Sequence, residues 1–177
     1  MKDLLMPPPG RELPWDEPGL EEVILVQETN VDPSQLIVKV VSCRNLEAGS
    51  FNYSLDAYVK VKVRSKEFRT NVITSSNPMF NSEFKFKLDP TKRDVVTFNV
   101  FDKDTGFFVG EDGIDDLLGR LDVPLSRHKN KLLEGSTVEI RERLVHSPKD
   151  SNMIINITLR FESKEETHEK VVTRSFV

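Results

Sequence analysis

The chain has 177 residues and a mass of 20.3 kDa, enough for one domain with its own hydrophobic core but short for two ordinary domains with a linker. Its formal charge of −4 and isoelectric point near 5.5 argue against general nucleic-acid binding, which requires a basic surface that neutralises phosphates. The only cysteine, Cys43, has no partner for an internal disulfide, and we therefore expect a reducing, cytoplasmic compartment.

Residues 1–20 combine several prolines with acidic residues, and this composition predicts an extended, flexible leader. The first ten residues lack the apolar run of a signal peptide. No segment approaches the ~20 consecutive apolar residues that a membrane-spanning helix needs. We therefore expect any membrane contact to be peripheral.

From residue 21 onward the sequence predicts a β-protein, because short apolar runs alternate with Pro, Gly, Asn and Asp. Period-2 alternation is clear where Phe84, Phe86 and Leu88 are separated by charged residues. The predicted strands cover residues 22–28, 35–43, 57–64, 67–74, 82–88, 95–102, 117–123 and 153–161. Their count and spacing predict an all-β fold, an eight-stranded antiparallel β-sandwich, with a closed barrel as the second choice.

The sequence outside these strands divides into two parts. Residues 126–150 are polar and mixed, and the stretch 128–133 predicts a short helix before a loop. The predicted domain covers 21–163 and is followed by a charged, disordered tail at 164–177. The end of this tail, Ser175-Phe-Val177, has the form of a strand that adds to a PDZ-type groove, although so short a pattern commonly arises by chance.

Acidic and apolar side chains are combined after the strand that ends at Asp102. The group contains Asp102, Asp104, Glu111, Asp112, Asp115 and Asp116, around Phe107, Phe108 and Val109. Two unit charges about 5 Å apart repel by roughly 3 kcal/mol at an effective dielectric constant near 20, so such a loop should attract a cation. Hard oxygen ligands favour Ca²⁺. The apolar residues predict a loop tip that enters a lipid interface.

Cationic residues alternate with valines in the run from Tyr58 to Arg64. One face of this predicted strand carries Tyr58, Lys60, Lys62 and Arg64. Two interpretations remain open for it, a merely solvated sheet face and a patch that binds anionic lipid.

Several sequence blocks, in this order, resemble the C2 domain family. They are LIVKVV at 36–41, RNL at 44–46, LDAYVKV at 55–61, FRT at 68–70, SNPMFNSEF at 76–84, VFDKD at 100–104 and DLLGR at 116–120. The strand layout resembles the synaptotagmin-type topology. The resemblance covers neither the leader nor the tail.

The resemblance implies a calcium site in the loops at one end of the sandwich. By position, the residues that resemble family ligands are Asp56, Asp102, Asp104 and Asp116. Ser50 stands where the family has its first aspartate, so the site loses one charge. The third loop is longer than usual, and its candidate substitutes are Glu111, Asp112 and Asp115. We expect weak calcium affinity, because affinity follows ligand charge and rigidity.

The resemblance also implies how the membrane is contacted. Phe51, Phe107 and Phe108 occupy positions that resemble loop tips with membrane-inserting side chains. The run Tyr58, Lys60, Lys62 and Arg64 resembles a patch for anionic headgroups, although Glu67 stands in the next strand where lysines are usual.

Two functional hypotheses follow. The leading hypothesis is a calcium-dependent module that binds anionic phospholipid membranes peripherally, in membrane trafficking or signalling. The alternative is a calcium-independent adaptor that binds a protein partner through the sandwich or the tail, and Ser50 favours this alternative. The chain has none of the motifs G-x-S-x-G or H-E-x-x-H and no phosphate-binding glycine loop, so we do not expect an enzyme. A fragment of a larger trafficking or lipid-transfer protein is compatible with either hypothesis.

Overall fold

A computed structural model describes residues 21–47, 55–89, 91–103, 115–145 and 152–173, with side chains between 31 and 163. The strands in these ranges are β1 (Glu21–Arg44), β2 (Asp56–Val63), β3 (Lys66–Arg69), β4 (Ile73–Thr74), β5 (Met79–Lys87), β6 (Val95–Asp102), β7 (Asp116–Pro124), β8 (Val138–Arg143) and β9 (Ile154–Thr173). A 3-10 helix at Leu125–Arg127 and the helix α1 at Lys129–Leu133 follow β7. The short helix predicted at 128–133 is thereby confirmed.

The strands form two antiparallel sheets. The first sheet has the order β5-β1-β9-β8, and the second has the order β3-β2-β6-β7 with β4 also paired to β2. Buried apolar residues of both sheets form one core. The predicted antiparallel β-sandwich is confirmed.

Burial follows the predicted alternation. In β6, Val96, Phe98 and Val100 are fully buried, and the residues between them are half-buried. Burying the Phe98 side chain contributes roughly 1.5–3 kcal/mol. Cys43 is also fully buried, and this burial raises the pKa of its thiol to about 12. Cys43 therefore packs as a small hydrophobic residue.

The segments predicted as separate strands at 22–28 and 35–43 form one strand, β1, which continues through Pro33. The Asp32 carboxylate accepts the N–H and the hydroxyl of Ser34 at 2.9 and 2.6 Å. The Ser34 carbonyl accepts the N–H of Leu88 at 2.7 Å. These bonds give the backbone next to Pro33 hydrogen-bond partners, so the proline does not interrupt the strand.

The strand predicted at 67–74 is divided into β3 and β4. The hydroxyl of Thr70 accepts the N–H of Val59 at 3.0 Å and donates to the carbonyl of Asn71 at 2.9 Å. Because this side chain takes the place of a backbone partner of β2, the chain leaves the sheet after Thr70 and returns at Ile73.

The strand β8 was not predicted from the sequence. It pairs with β9 from Val138, opposite Leu159, to Arg143, opposite Ile154. Directly after it, the N–H and carbonyl of Val145 exchange hydrogen bonds with Arg120 of β7. A β-carbon at Gly119 would lie 2.7 Å from the Leu144 Cβ, so the absence of a side chain at Gly119 permits this close approach.

The chain divides into two compact units, one of residues 29–164 and one of residues 1–28 with 165–177. The described part of the second unit consists of the outer segments of β1 and β9. The backbone of β9 is extended as far as Thr173, whereas the composition predicted a disordered tail from residue 164. The leader at 1–20 and the Ser-Phe-Val end lie outside the described residues.

Candidate calcium and membrane site

The antiparallel register brings acidic residues of three strands to one end of the second sheet. Asp102, the last residue of β6, pairs with Asp116 at the start of β7 and with Ala57 of β2, which follows Asp56. Three residues that the sequence assigned as metal ligands therefore lie at the same end of the sheet. We call Asp56, Asp102 and Asp116 the aspartate cluster.

Hydrogen bonds fix two members of the aspartate cluster relative to each other. Asp102 continues the inward-facing row of β6 and is only 1% exposed. Its Oδ1 accepts the N–H of Asp56 at 2.8 Å, and the Asp56 carbonyl accepts the N–H of Lys103 at 2.9 Å. Asp56 Oδ1 also accepts the hydroxyl of Thr74 at 2.5 Å. The β2 and β6 ends are thus joined through both backbone and side chains.

The donor chemistry of the aspartate cluster fits Ca²⁺, because its ligands would be carboxylate oxygens. The burial of Asp102 adds to this fit, since a desolvated carboxylate gains most from a nearby positive charge. Within the described ranges, no group of three or more His, Cys, Asp or Glu side chains could hold a metal ion by itself. A complete ligand set therefore needs further donors, and two predicted ones, Ser50 and Asp104, lie outside these ranges.

The predicted membrane-inserting residues Phe51, Phe107 and Phe108 also lie outside the described residues, as do Glu111 and Asp112. They belong to segments 48–54 and 104–114. These segments end or begin two residues from Asp56, Asp102 and Asp116. Each of the two segments therefore has at least one end next to the aspartate cluster.

Asp115, a predicted substitute ligand, is bound to the outer face of the second sheet. Its Oδ2 accepts the hydroxyl of Tyr58 at 2.5 Å. Tyr58 is 2% exposed, and its ring stacks on Phe101 with the centroids 5.4 Å apart. Burial, and then the hydrogen bond to the Asp115 carboxylate, raise the pKa of Tyr58 above its usual range. No feature of the sequence predicted this contact, because it joins residues that are 57 positions apart in the chain.

We call Tyr58, Lys60 and Lys62 the basic face. Lys60 and Lys62 lie on β2 as predicted, and the Lys60 Nζ is 4.8 Å from the centroid of the Phe101 ring. In the neighbouring β3, Arg69 is the partner of Lys60 and Glu67 is the partner of Lys62. In β3, Glu67 therefore stands beside the cations Lys60, Lys62 and Arg69.

Arg64, which the sequence grouped with these lysines, lies in the turn after β2 with a φ of 54°. Its Nε and one terminal nitrogen donate to the two carboxylate oxygens of Asp94 at 2.6 and 2.7 Å. The Asp94 side chain is 5% exposed. Asp94 therefore neutralises the Arg64 charge.

Replacing Arg64 by alanine should destabilise the fold without weakening lipid binding. The Asp94 carboxylate would remain buried without this counter-charge, and we expect the free energy of unfolding to fall by about 2–3 kcal/mol. Chemical denaturation measures the change. Lys62→Ala is the control, because Lys62 is exposed and its loss should change stability by less than about 0.5 kcal/mol. A larger loss of vesicle binding in Arg64→Ala than in Lys62→Ala would contradict this assignment.

The helices of the described ranges, Leu125–Arg127 and α1, are short. In the part of the chain that the structure describes, no helix has both the length and the apolar character to span a membrane.

The C2 domain family model matches residues 34–140. A C2 and GRAM domain-containing protein of Arabidopsis thaliana is 32% identical over 93 residues, which are 52% of this chain and 8% of that protein. The chain spans 8% of the length of the curated relatives that it matches.

Solved structures share the fold. A single C2 domain of a plant Extended Synaptotagmin 1 has a TM-score of 0.60 at 21% identity, and the match covers 75% of this chain and 97% of that one. The calcium-bound pair of C2 domains of Extended Synaptotagmin 2 has a TM-score of 0.56 at 19% identity, covering 86% of this chain and 61% of that one. Because the family model covers more than half of its residues, the chain belongs to the C2 domain family.

Proposed function

We propose that the chain is a calcium-dependent module that binds anionic phospholipid membranes peripherally from the cytoplasm, in membrane trafficking or signalling. The observation that carries this proposal is the convergence of Asp56, Asp102 and Asp116 at one end of the second sheet. Membership of the C2 family supports it, since C2 domains generally bind membranes. One structure with the same fold is described as calcium bound.

The proposed calcium ligands are the aspartate cluster and Asp104, with the neutral Ser50 at the position of the missing aspartate. When bound, Ca²⁺ supplies positive charge and open coordination positions for the oxygens of a lipid headgroup. Before Ca²⁺ binds, the aspartates oppose membrane contact, because clustered carboxylates repel an anionic surface. The same residues therefore weaken membrane binding when no Ca²⁺ neutralises their charge.

Phe51, Phe107 and Phe108 are the proposed inserting residues. Moving two phenylalanine side chains out of water is worth roughly 3–6 kcal/mol, and the cost of association uses much of this gain. Insertion alone would therefore give weak binding. A second signal is required, as for other peripheral membrane proteins.

The basic face can provide part of that second signal. A lysine close to an anionic membrane contributes about 1 kcal/mol, and Lys60 and Lys62 lie on one face of β2. This attraction does not require an ion. It decreases with salt, because exposed charges are screened over about 8–10 Å.

The alternative function is a calcium-independent adaptor for a protein partner. The observation that favours it is Ser50, which lowers the charge available to hold an ion. We propose a non-enzymatic role in either case, and the family match covers only a C2 domain.

Vesicle co-sedimentation tests the proposal. The chain is mixed with phosphatidylserine-containing or neutral phosphatidylcholine vesicles, each in Ca²⁺ or in EDTA. We expect strong sedimentation only with anionic vesicles in Ca²⁺. Equal binding to anionic vesicles in Ca²⁺ and EDTA would contradict calcium dependence, and no binding to any vesicle would favour the adaptor.

A further inference from the structure

The contact between Tyr58 and Asp115 joins the residue directly before β7 to the basic face. Tyr58 is on the same face of β2 as Lys60 and Lys62, yet it is 2% exposed. Its hydroxyl donates to Asp115 Oδ2 at 2.5 Å, a short bond of the kind that charged acceptors form. A negative charge of the chain itself therefore lies against the basic face.

We infer that the Asp115 carboxylate occupies the position of an anionic lipid headgroup on the basic face, and so opposes calcium-free membrane binding. The inference rests on the proposed function, since it takes the basic face to be a membrane-binding surface. It also reassigns Asp115, for which the sequence suggested a role as a metal ligand. In this arrangement, the Asp115 carboxylate lies on the basic face and is not a calcium ligand.

One aromatic ring contacts both groups that could bind an anion where Asp115 lies, the Tyr58 side chain and the Lys60 ammonium. Phe101 stacks on Tyr58 with an interplanar angle of 16°, and it lies beneath the ammonium group of Lys60. Arg69 is the partner of Lys60 in β3, which adds a cation at the same level of the sheet. A hydroxyl donor with nearby cations suits the phosphate or carboxylate oxygens of a headgroup as well as it suits Asp115.

The location of Asp115 in the chain explains why its charge matters for the proposed switch. It directly precedes Asp116, which is paired with Asp102. One short segment thus carries a residue of the aspartate cluster and a residue bound to the basic face. The two membrane-binding surfaces of the proposal are linked through it.

The test compares Asp115→Asn with Glu139→Gln in EDTA, using phosphatidylserine-containing vesicles. Both variants remove one negative charge, and Glu139 is exposed on β8 in the other sheet. Removing a charge that faces the membrane should raise the association constant of Asp115→Asn about fivefold, and that of Glu139→Gln by less than about 1.5-fold. Equal effects in the two variants would overturn the inference. Thermal melting of each variant verifies that it is folded.

A double variant tests whether the gain acts through the basic face. In Lys60→Ala, the further change Asp115→Asn should raise binding by less than about twofold, because the basic face has lost the lysine that lies over the Phe101 ring. An undiminished fivefold gain would overturn the inference.

A separate titration with Ca²⁺ in the absence of lipid tests the reassignment. Asp115→Asn should stay within about threefold of Glu139→Gln in calcium affinity, while Asp116→Asn should lose more than about tenfold. Equal losses in Asp115→Asn and Asp116→Asn would make Asp115 a ligand and overturn the inference. The EDTA comparison needs no ion, so it remains decisive even if the wild-type chain shows no calcium-dependent binding and the proposed function fails.

Discussion

Asp102→Asn should abolish calcium-dependent binding to anionic vesicles and lower calcium affinity at least about 100-fold. Asn keeps the shape of the side chain and an oxygen that can accept the N–H of Asp56, so the fold should be retained. The charge is lost at a position only 1% exposed, where a carboxylate next to a divalent ion contributes on the order of 3 kcal/mol or more. Calorimetric titration with Ca²⁺ and vesicle co-sedimentation measure the two effects.

Asp122→Asn is the matched control for this prediction. Asp122 is an exposed aspartate of β7, and its carboxylate is bonded to Thr97 and Arg120. The substitution makes the same chemical change away from the aspartate cluster, and we expect calcium affinity within about twofold of the wild type. Wild-type calcium binding by Asp102→Asn would mean that the cluster is not the calcium site.

Phe107→Ala should have the opposite pattern, with normal calcium affinity and weaker membrane binding. Burying a phenylalanine side chain is worth roughly 1.5–3 kcal/mol, so the association constant for anionic vesicles in Ca²⁺ should fall about 10- to 100-fold. The ligands are carboxylates and are unchanged, so titration without lipid should give the wild-type calcium constant.

Leu133→Ala is the control for loss of an exposed apolar side chain. Leu133 is 43% exposed in α1, which follows the C-terminal end of β7, whereas Asp116 begins that strand. We expect its vesicle binding to match the wild type. A Phe107→Ala variant with undiminished vesicle binding would show that this residue is not inserted.

Strands with regular alternation could be predicted from the sequence. In β6, every second residue from Val96 to Val100 is apolar and fully buried, and the run Met153 to Phe161 has the same pattern around the start of β9. Such strands have one face in the core, so the buried face is visible in the order of residues alone. These strands led to the correct prediction of a sandwich.

Other strands could not be predicted because their pattern is weak or contradictory. In β8, only Val138 and Ile140 are apolar, and the remaining residues are charged, so the strand is recognisable only from its pairing with β9. Pro33 suggested a break in β1, but local and cross-strand hydrogen bonds accommodate it. The division of β3 from β4 depends on the hydroxyl of Thr70, which propensity does not reveal.

As with the strands, only part of the candidate site could be predicted from the sequence. The resemblance placed Asp56, Asp102 and Asp116 together, and the register of β2, β6 and β7 brings them to one end. The partners of Tyr58 and Arg64 could not be foreseen, since each depends on a residue that is distant in sequence. Alternation assigns a residue to a face of a strand, but it does not show which charge that residue meets.

Cys43 has a practical consequence for spectroscopic work on the membrane-bound state. Its thiol is fully buried and, with a pKa of about 12, stays protonated at neutral pH, so it is a poor nucleophile toward maleimide or iodoacetamide reagents. A cysteine introduced at an exposed position can therefore carry a fluorophore or spin label selectively while Cys43 is kept in the core. Insertion depth and loop distances become measurable in an otherwise native chain.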